Sequence, residues 1–303
     1  MSKNDTIFAQ WVLVLVTVLW GGTFLTLQIA LQWADPVVVV AMRFSMATLM
    51  FLLIIRQQVF QIKKTDWIAG GVVGLCIFGV YTLQTIGLES IPSSTSAFLT
   101  GLYVAFVPLL QLTVLRKRLR WPVIVGIVMA FVGMTLLANP FEMSFANSIG
   151  EWLTVLSAFI CAIEILTVGA FAPKCNPLHL AFTQMLTVSL LACLTLLGHT
   201  PIRETQYTWG HFLAVGSLAA CVAFIQFVIG WAMKRVDALR ATLIYSLEPV
   251  FAGIFGWLAG ERLGLTGLTG GALIVLAVLV SAYRPRQKNS EGDTNESCCH
   301  RFF

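Results

Sequence analysis

Residues 96–121 read SAFLTGLYVAFVPLLQLTVLRKRLRW, an apolar run with Pro108 near its middle and a basic cluster at its end. The run is too long and too apolar for a helix in a soluble core, whereas a helix of about 20 such residues spans a bilayer. A second run of this kind comes later in the chain, where Glu248 and Pro249 interrupt apolar sequence that ends in Gly-Glu-Arg-Leu at 260–263. The two runs predict a membrane protein whose chain is duplicated.

The composition excludes a soluble globular protein. Of the 303 residues, 58% are hydrophobic and 11% are charged, and no ordinary surface keeps such a chain in water. A window of about 20 residues predicts an all-α polytopic membrane protein with ten transmembrane helices, at 11–31, 36–55, 67–87, 96–115, 121–138, 149–170, 177–197, 209–230, 239–258 and 264–283. The short connections leave no room for a soluble catalytic domain.

Lysine and arginine are distributed unequally between the loops on the two sides of the membrane. When the N-terminus is placed inside, nearly all of them lie on the cytoplasmic side, including the cluster at 116–120, and membrane proteins show this bias. The sequence therefore predicts a multi-pass protein of the bacterial inner membrane with both termini in the cytoplasm. The net charge of +5 follows from this topology and does not indicate nucleic-acid binding.

The two halves of the chain match residue by residue at an offset of 141, the separation of Pro108 and Pro249. The aligned pairs are Trp11 and Trp152, Thr23 and Glu164, Pro36 and Pro177, Arg43 and Gln184, and Pro108 and Pro249. These matches predict a first five-helix repeat at 1–140, a second at 141–283 and a disordered cytoplasmic tail at 284–303. Because each repeat has an odd number of spans, the second enters the membrane inverted, as in transporters that work by alternating access.

Several motifs resemble the EamA family of the drug/metabolite transporter superfamily. They are WGGTF at 20–24, SAFLTGLYV at 96–104 with Pro108, SLEPVFA at 246–252 and GERL at 260–263. The resemblance covers residues 8–283, although the first half has Lys-Arg-Leu at 117–119 where the family often has Glu-Arg-Leu. It implies a ten-helix exporter or exchanger of amino acids, nucleotide precursors or related small polar metabolites. It also implies a cavity between helices 1–4 and 6–9, with helices 5 and 10 outside.

Three ionisable residues lie within predicted spans, where a charge costs about 2.5–3.5 kcal/mol on insertion scales. Glu248 precedes Pro249, which frees a backbone carbonyl, so Glu248 is a candidate to bind a substrate amine or a proton, or to hold a structural network. Arg43 can clamp a carboxylate or phosphate, or it can pair with Glu164 or Glu248. Glu164 lies nearer the cytoplasmic end of its span, from where its side chain can reach water.

Other polar or aromatic residues within the spans are candidates to line a substrate cavity, although such side chains also join helices to one another. They are Trp20, Thr23, Gln84, Thr100, Tyr103, Gln184, Gln226 and Tyr245.

The sequence favours a transporter over an enzyme. It has no paired histidines, no phosphate-binding loop and no cysteine spacing typical of a metal site, so no cofactor or metal is expected and a gradient must drive transport. The expected partners are a small-molecule substrate and the lipid bilayer. The sequence leaves open whether the protein forms a homodimer. The alternatives are an intramembrane lipid-modifying enzyme with Glu164 and Glu248 as its acid–base pair, and a channel or membrane subunit that does not transport.

Overall fold

The computed structural model describes residues 3–91, 93–116, 119, 121–138, 149–198, 205–258 and 264–282, and within them the regular structure is helical, without strands. The predicted tail and the GERL motif at 260–263 lie outside the described residues. The α-helices are α1 (Lys3–Ala30), α2 (Pro36–Ile55), α3 (Lys64–Leu88), α4 (Ser93–Gly101), α5 (Tyr103–Thr113), α6 (Trp121–Ala138), α7 (Ile149–Phe171), α8 (Pro177–Gly198), α9 (Trp209–Ala232), α10 (Ala238–Tyr245), α11 (Glu248–Leu258) and α12 (Leu265–Ala282).

The helices are long and apolar enough for a polytopic membrane protein. Among the described residues, eight helical stretches satisfy the length and hydropathy of a membrane span, and α6 and α12 supply two shorter apolar helices. Each predicted span coincides with one of these helices or with a consecutive pair. The prediction of an all-helical, multi-pass membrane protein is confirmed.

Polar side chains at the loop ends fix where several helices begin. The Asp35 side chain accepts a hydrogen bond from the backbone N–H of Val37 at 3.1 Å, and Pro36 occupies the first helical position, where its missing N–H costs nothing. Asp237 begins α10 in the same way, accepting from Leu239 N–H at 3.2 Å. These caps satisfy backbone donors that have no partner within the helix.

The fourth and ninth predicted spans are each divided into two helices, which differs from the single helix predicted for each. The chain passes from α4 to α5 at Leu102, whose N–H donates to Leu99 O at 3.2 Å, and from α10 to α11 at Leu247, whose N–H donates to Ile244 O at 3.1 Å. Both bonds span three residues, so each break is a tightened turn of the 3₁₀ type. Pro249 has no N–H to continue α10, which explains the second break.

Helices from the two halves of the chain interlock. Helix α3 packs against α7 and α8, while α9 packs against α1 and α2. The divided helices do the same, because α4 and α5 contact α7, and α10 and α11 contact α1. Helices α6 and α12 pack mainly against each other. The centre of the molecule is therefore built from both halves.

Glycine allows the closest of these helix approaches. A Cβ atom on Gly21 would lie 2.7 Å from the backbone nitrogen of Ala252, so α1 meets the backbone of α11 there. A Cβ atom on Gly133 would lie 2.8 Å from the carbonyl oxygen of Gly270, where α6 meets α12. Small residues let membrane helices approach in this way.

A buried carboxylate joins the first turns of α3 and α8. Asp66 is 1% exposed and accepts hydrogen bonds from the backbone N–H groups of Lys63 at 3.3 Å and Asn176 at 3.2 Å. Its Oδ2 lies 3.4 Å from Nδ1 of His179. This pairing could not be predicted from the sequence, since the two residues are far apart in the chain. The contact ties one half of the chain to the other at one end of the bundle.

Replacing Asp66 with Ala is expected to lower the free energy of unfolding by about 2–4 kcal/mol, because several buried donors lose their acceptor. Asp66→Asn keeps an acceptor and should lose about half as much. The control is Asp237→Ala, which removes an exposed helix cap and should cost about 1 kcal/mol. Thermal unfolding of the purified variants in one detergent gives the order, and equal stability of Asp66→Ala and Asp237→Ala would contradict the buried network.

Candidate functional site

A small cavity lies at the centre of the bundle, where helices from both halves meet. Its volume, measured as the space in which the centre of a water molecule can move, is about 20 Å³. A single water needs about 10–15 Å³ on that measure, so this conformation accommodates one or two waters. The lining residues come from α1, α3, α4, α5, α7 and α11, and they are Trp20, Thr23, Phe24, Val80, Tyr81, Gln84, Thr100, Tyr103, Cys161, Glu164 and Glu248.

Most of the residues predicted to bind substrate lie together at this cavity. The lining includes Trp20, Thr23, Gln84, Thr100, Tyr103, Glu164 and Glu248. The other four predicted residues do not line the cavity but pack behind the residues that do. Each of them contacts either a lining residue or another of the four, which are Arg43, Gln184, Gln226 and Tyr245. The structure thus brings the predicted set into one region, spread over two layers.

The two divided helices meet in the cavity wall. Tyr103 is the first residue of α5 and Glu248 is the first residue of α11. The Tyr103 hydroxyl donates a hydrogen bond to Oε2 of Glu248 at 3.3 Å, and the Glu248 side chain is 4% exposed.

A second carboxylate, Glu164 on α7, is held by a chain of amides. Gln226 Nε2 donates to Glu164 Oε1 at 3.4 Å, and Gln184 Nε2 donates to Gln226 Oε1 at 3.1 Å. Glu164 is 5% exposed, so its side chain points into the bundle instead of extending towards water at the helix end. The sequence position of Glu164 had suggested that its side chain extends to water at the cytoplasmic end of the helix. In this conformation the side chain stays inside, because the cavity and Gln226 supply polar surroundings within the bundle.

Two hydrogen bonds fix the lining contributed by the first half. Gln84 Nε2 on α3 donates to Thr100 Oγ1 on α4 at 2.8 Å. The Thr23 hydroxyl donates to the carbonyl of Trp20 in its own helix at 2.7 Å. These bonds satisfy side chains that the bilayer would otherwise penalise.

Aromatic residues form the remaining wall. Trp20 Nε1 donates to the Tyr81 hydroxyl at 3.0 Å, and the Trp20 ring meets Tyr245 edge-on, with centroids 5.5 Å apart. Tyr81 was not among the residues predicted from sequence, nor were Phe24, Val80 and Cys161. A signal existed, because all four lie three or four residues from a predicted lining residue, which places them on the same helix face.

Arg43 is buried behind the aromatic wall. Its side chain is 1% exposed, and its guanidinium carbon lies 4.7 Å from the centroid of the Tyr81 ring. Within the described part of the chain, Nε and Nη2 have no hydrogen-bond partner, and the ion pair found there joins His179 to Asp66. The expected pairing of Arg43 with Glu164 or Glu248 is therefore absent from this conformation, and Tyr81 lies between Arg43 and the cavity.

The arrangement suits reversible binding of a small polar molecule. The lining combines two carboxylates, hydroxyl and amide groups and aromatic rings, which offer hydrogen bonds and apolar contact in one place. Among the described residues, no three side chains of His, Cys, Asp or Glu lie close enough to hold a metal ion.

Comparison with known proteins assigns the chain to a family. The sequence profile of the EamA-like transporter family matches twice, at residues 7–139 and 148–283. A protein of Archaeoglobus fulgidus named as an uncharacterized transporter is 28% identical over 92% of this chain and 87% of its own length. The uncharacterized transporter YyaM of Bacillus subtilis is 22% identical over 86% and 89% of the respective chains.

A solved crystal structure shows the same fold. It superposes with a TM-score of 0.71 at 20% identity, covering 93% of this chain and 97% of the other. Together with the two profile matches, which cover nearly the whole chain, these findings place the protein: it belongs to the EamA-like transporter family.

Proposed function

We propose that the protein is a secondary-active exporter or exchanger of small polar metabolites such as amino acids. The observation that carries the proposal is the central cavity, whose buried polar lining comes from both halves of the chain. We place the protein in a bacterial inner membrane, with both termini in the cytoplasm, on the distribution of positive charge among the loops. Substrate exchange or a proton gradient provides the driving force.

The proposed mechanism is alternating access between two inverted five-helix repeats. Two findings support the repeat. The family profile matches once in each half, and each of the main contacts of a helix is also made by the equivalent helix of the other half. The α3 contacts with α7 and α8 correspond to the α9 contacts with α1 and α2. In an inverted repeat, this correspondence gives two related conformations that open to opposite sides.

The cavity must open for transport, because its present volume of about 20 Å³ is too small for an amino acid. The breaks at Leu102 and Leu247 immediately precede the lining residues Tyr103 and Glu248 and provide positions where short helices can tilt. Their position in corresponding spans of the two halves is typical of transporter binding sites.

Counterflow in proteoliposomes tests the proposal. Liposomes preloaded with unlabelled amino acids, nucleosides or organic acids receive the matching radiolabelled compound, and labelled uptake is measured over time. Saturable accumulation of at least one class above empty liposomes is expected. If every class stays at the level of empty liposomes while the protein is folded, the proposal fails.

The Glu248→Gln variant ties this activity to the cavity. It should lower counterflow by about tenfold or more, because a charged acceptor contributes roughly 1.5–3 kcal/mol. The matched control is Glu89→Gln, at an exposed position just beyond α3, and it should transport like the parent. If Glu248→Gln and Glu89→Gln show equal counterflow rates, the transport activity does not depend on the Glu248 carboxylate in the cavity.

A further inference from the structure

We propose that the cavity recognises the ammonium group of its substrate, so that an organic amine binds there even when it lacks a carboxylate. The inference rests on the proposed function and specifies the substrate class for the same cavity. The part of the substrate that decides binding is its positive charge, held between the Glu164 and Glu248 carboxylates and the neighbouring aromatic rings.

The two carboxylates each keep an oxygen available to a ligand. Among the described residues, Glu248 accepts its hydrogen bond through Oε2 and Glu164 accepts its hydrogen bond through Oε1. Both partners, Tyr103 and Gln226, are neutral. The carboxylates are therefore oriented by hydrogen bonds while their charges stay uncompensated by those bonds.

The local balance of charge favours a cation. Two carboxylates that face one cavity repel each other strongly where water is scarce. Arg43 supplies one positive charge behind Tyr81, so when both carboxylates are ionised the groups around the cavity carry one excess negative charge. An ammonium ion neutralises this excess, whereas a carboxylic acid anion increases it.

The aromatic wall suits the same ligand. Trp20, Tyr81 and Tyr103 line the cavity with Phe24, and ring faces attract ammonium groups by about 0.5–2 kcal/mol. The Trp20 ring is fixed by its hydrogen bond to Tyr81 and its edge contact with Tyr245. Fixed rings beside carboxylates provide both apolar contact and charge recognition for an amine-bearing molecule.

Sets of matched compounds distinguish the contribution of the ammonium group to binding from that of the carboxylate. The first set is alanine, ethylamine and propionate; the second is leucine, 3-methylbutylamine and 4-methylpentanoate; the third is phenylalanine, 2-phenylethylamine and 3-phenylpropionate. Each compound is titrated against the purified protein, and the shift in thermal unfolding temperature gives its apparent affinity, because a ligand that binds the folded state stabilises it. At least one amine should raise the unfolding temperature, and its matched acid should bind at least tenfold more weakly.

Variants locate the binding. Glu164→Gln and Glu248→Gln keep the size and hydrogen-bonding capacity of the side chain, and each should weaken amine binding by about tenfold or more, while Glu89→Gln should match the parent. Absence of a shift with every amine, or an acid that binds as well as its matched amine, overturns the proposal. If counterflow of organic acids succeeds while amines neither bind nor move, the transporter function stands and the ammonium inference falls.

Discussion

Arg43→Met is expected to raise the free energy of unfolding by about 1–3 kcal/mol, since leaving a buried donor without a partner costs about that much free energy. The guanidinium is 1% exposed and two of its nitrogens have no partner in the described structure. Its contact with the Tyr81 ring offsets the cost of burial only in part. On the hypothesis from the sequence that Arg43 clamps a substrate carboxylate, counterflow of compounds that carry this group should fall at the same time.

The matched control for Arg43 is Arg235→Met. Arg235 also lies over an aromatic ring, with its guanidinium carbon 4.2 Å from the Trp231 centroid. However, it is only half-buried and donates to the Trp231 carbonyl at 2.8 Å, so its loss should lower stability slightly. Thermal unfolding in one detergent compares the two. A clear loss of stability in Arg43→Met would show that Arg43 has a structural partner and would remove the argument for a ligand-directed charge.

Gly70→Ala is expected to destabilise the protein by about 3 kcal/mol, the upper part of the range for overpacking. A Cβ atom at Gly70 would overlap the Thr183 side chain and lie 2.9 Å from the Thr183 carbonyl carbon. Thr183 cannot move aside easily, because its hydroxyl bonds to the Asp66 and His179 carbonyls. The substitution must therefore push α3 away from α8, at the junction between the two halves.

The adjacent residue provides the control for this prediction. A Cβ atom at Gly71 meets no atom of the described residues within 4 Å, so Gly71→Ala should leave stability unchanged or raise it by up to about 1 kcal/mol through helix propensity. Thermal unfolding and the yield of monodisperse protein measure both variants. If the two alanine variants are equally stable, the close packing of α3 on α8 is contradicted.

The positions of the spans could be predicted from sequence because hydropathy averaged over a window depends on composition alone. The breaks at Leu102 and Leu247 could not, since a turn that tightens over one residue leaves the apolar run intact. Pro249 indicated an interruption near the second break. Pro108 lies inside α5, six residues beyond Leu102. It therefore indicated which span is divided, but not the position of the break.

Only some of the residues that line the cavity could be predicted from the sequence, for a related reason. Ionisable residues such as Glu164 and Glu248 stand out in an apolar sequence, whereas Tyr81 and Cys161 are recognisable only from their helical spacing to such residues. Which side chains contact one another depends on helix rotation and packing, which one sequence does not determine. That is why the position of Arg43 behind Tyr81, and the link between Asp66 and His179, appear only in the structure.

The central claim is that the cavity opens alternately to the two sides of the membrane, and the native Cys161 in its lining tests this directly. A variant keeps Cys161 and replaces Cys76, Cys175, Cys193, Cys221, Cys298 and Cys299 with alanine. The rate at which a membrane-impermeant methanethiosulfonate modifies it is measured in right-side-out and inside-out vesicles. We expect modification from both sides, with loss of counterflow, while the fully cysteine-free protein is unaffected. A Cys161 that reacts from one side only, or not at all in active protein, would contradict alternating access through this cavity.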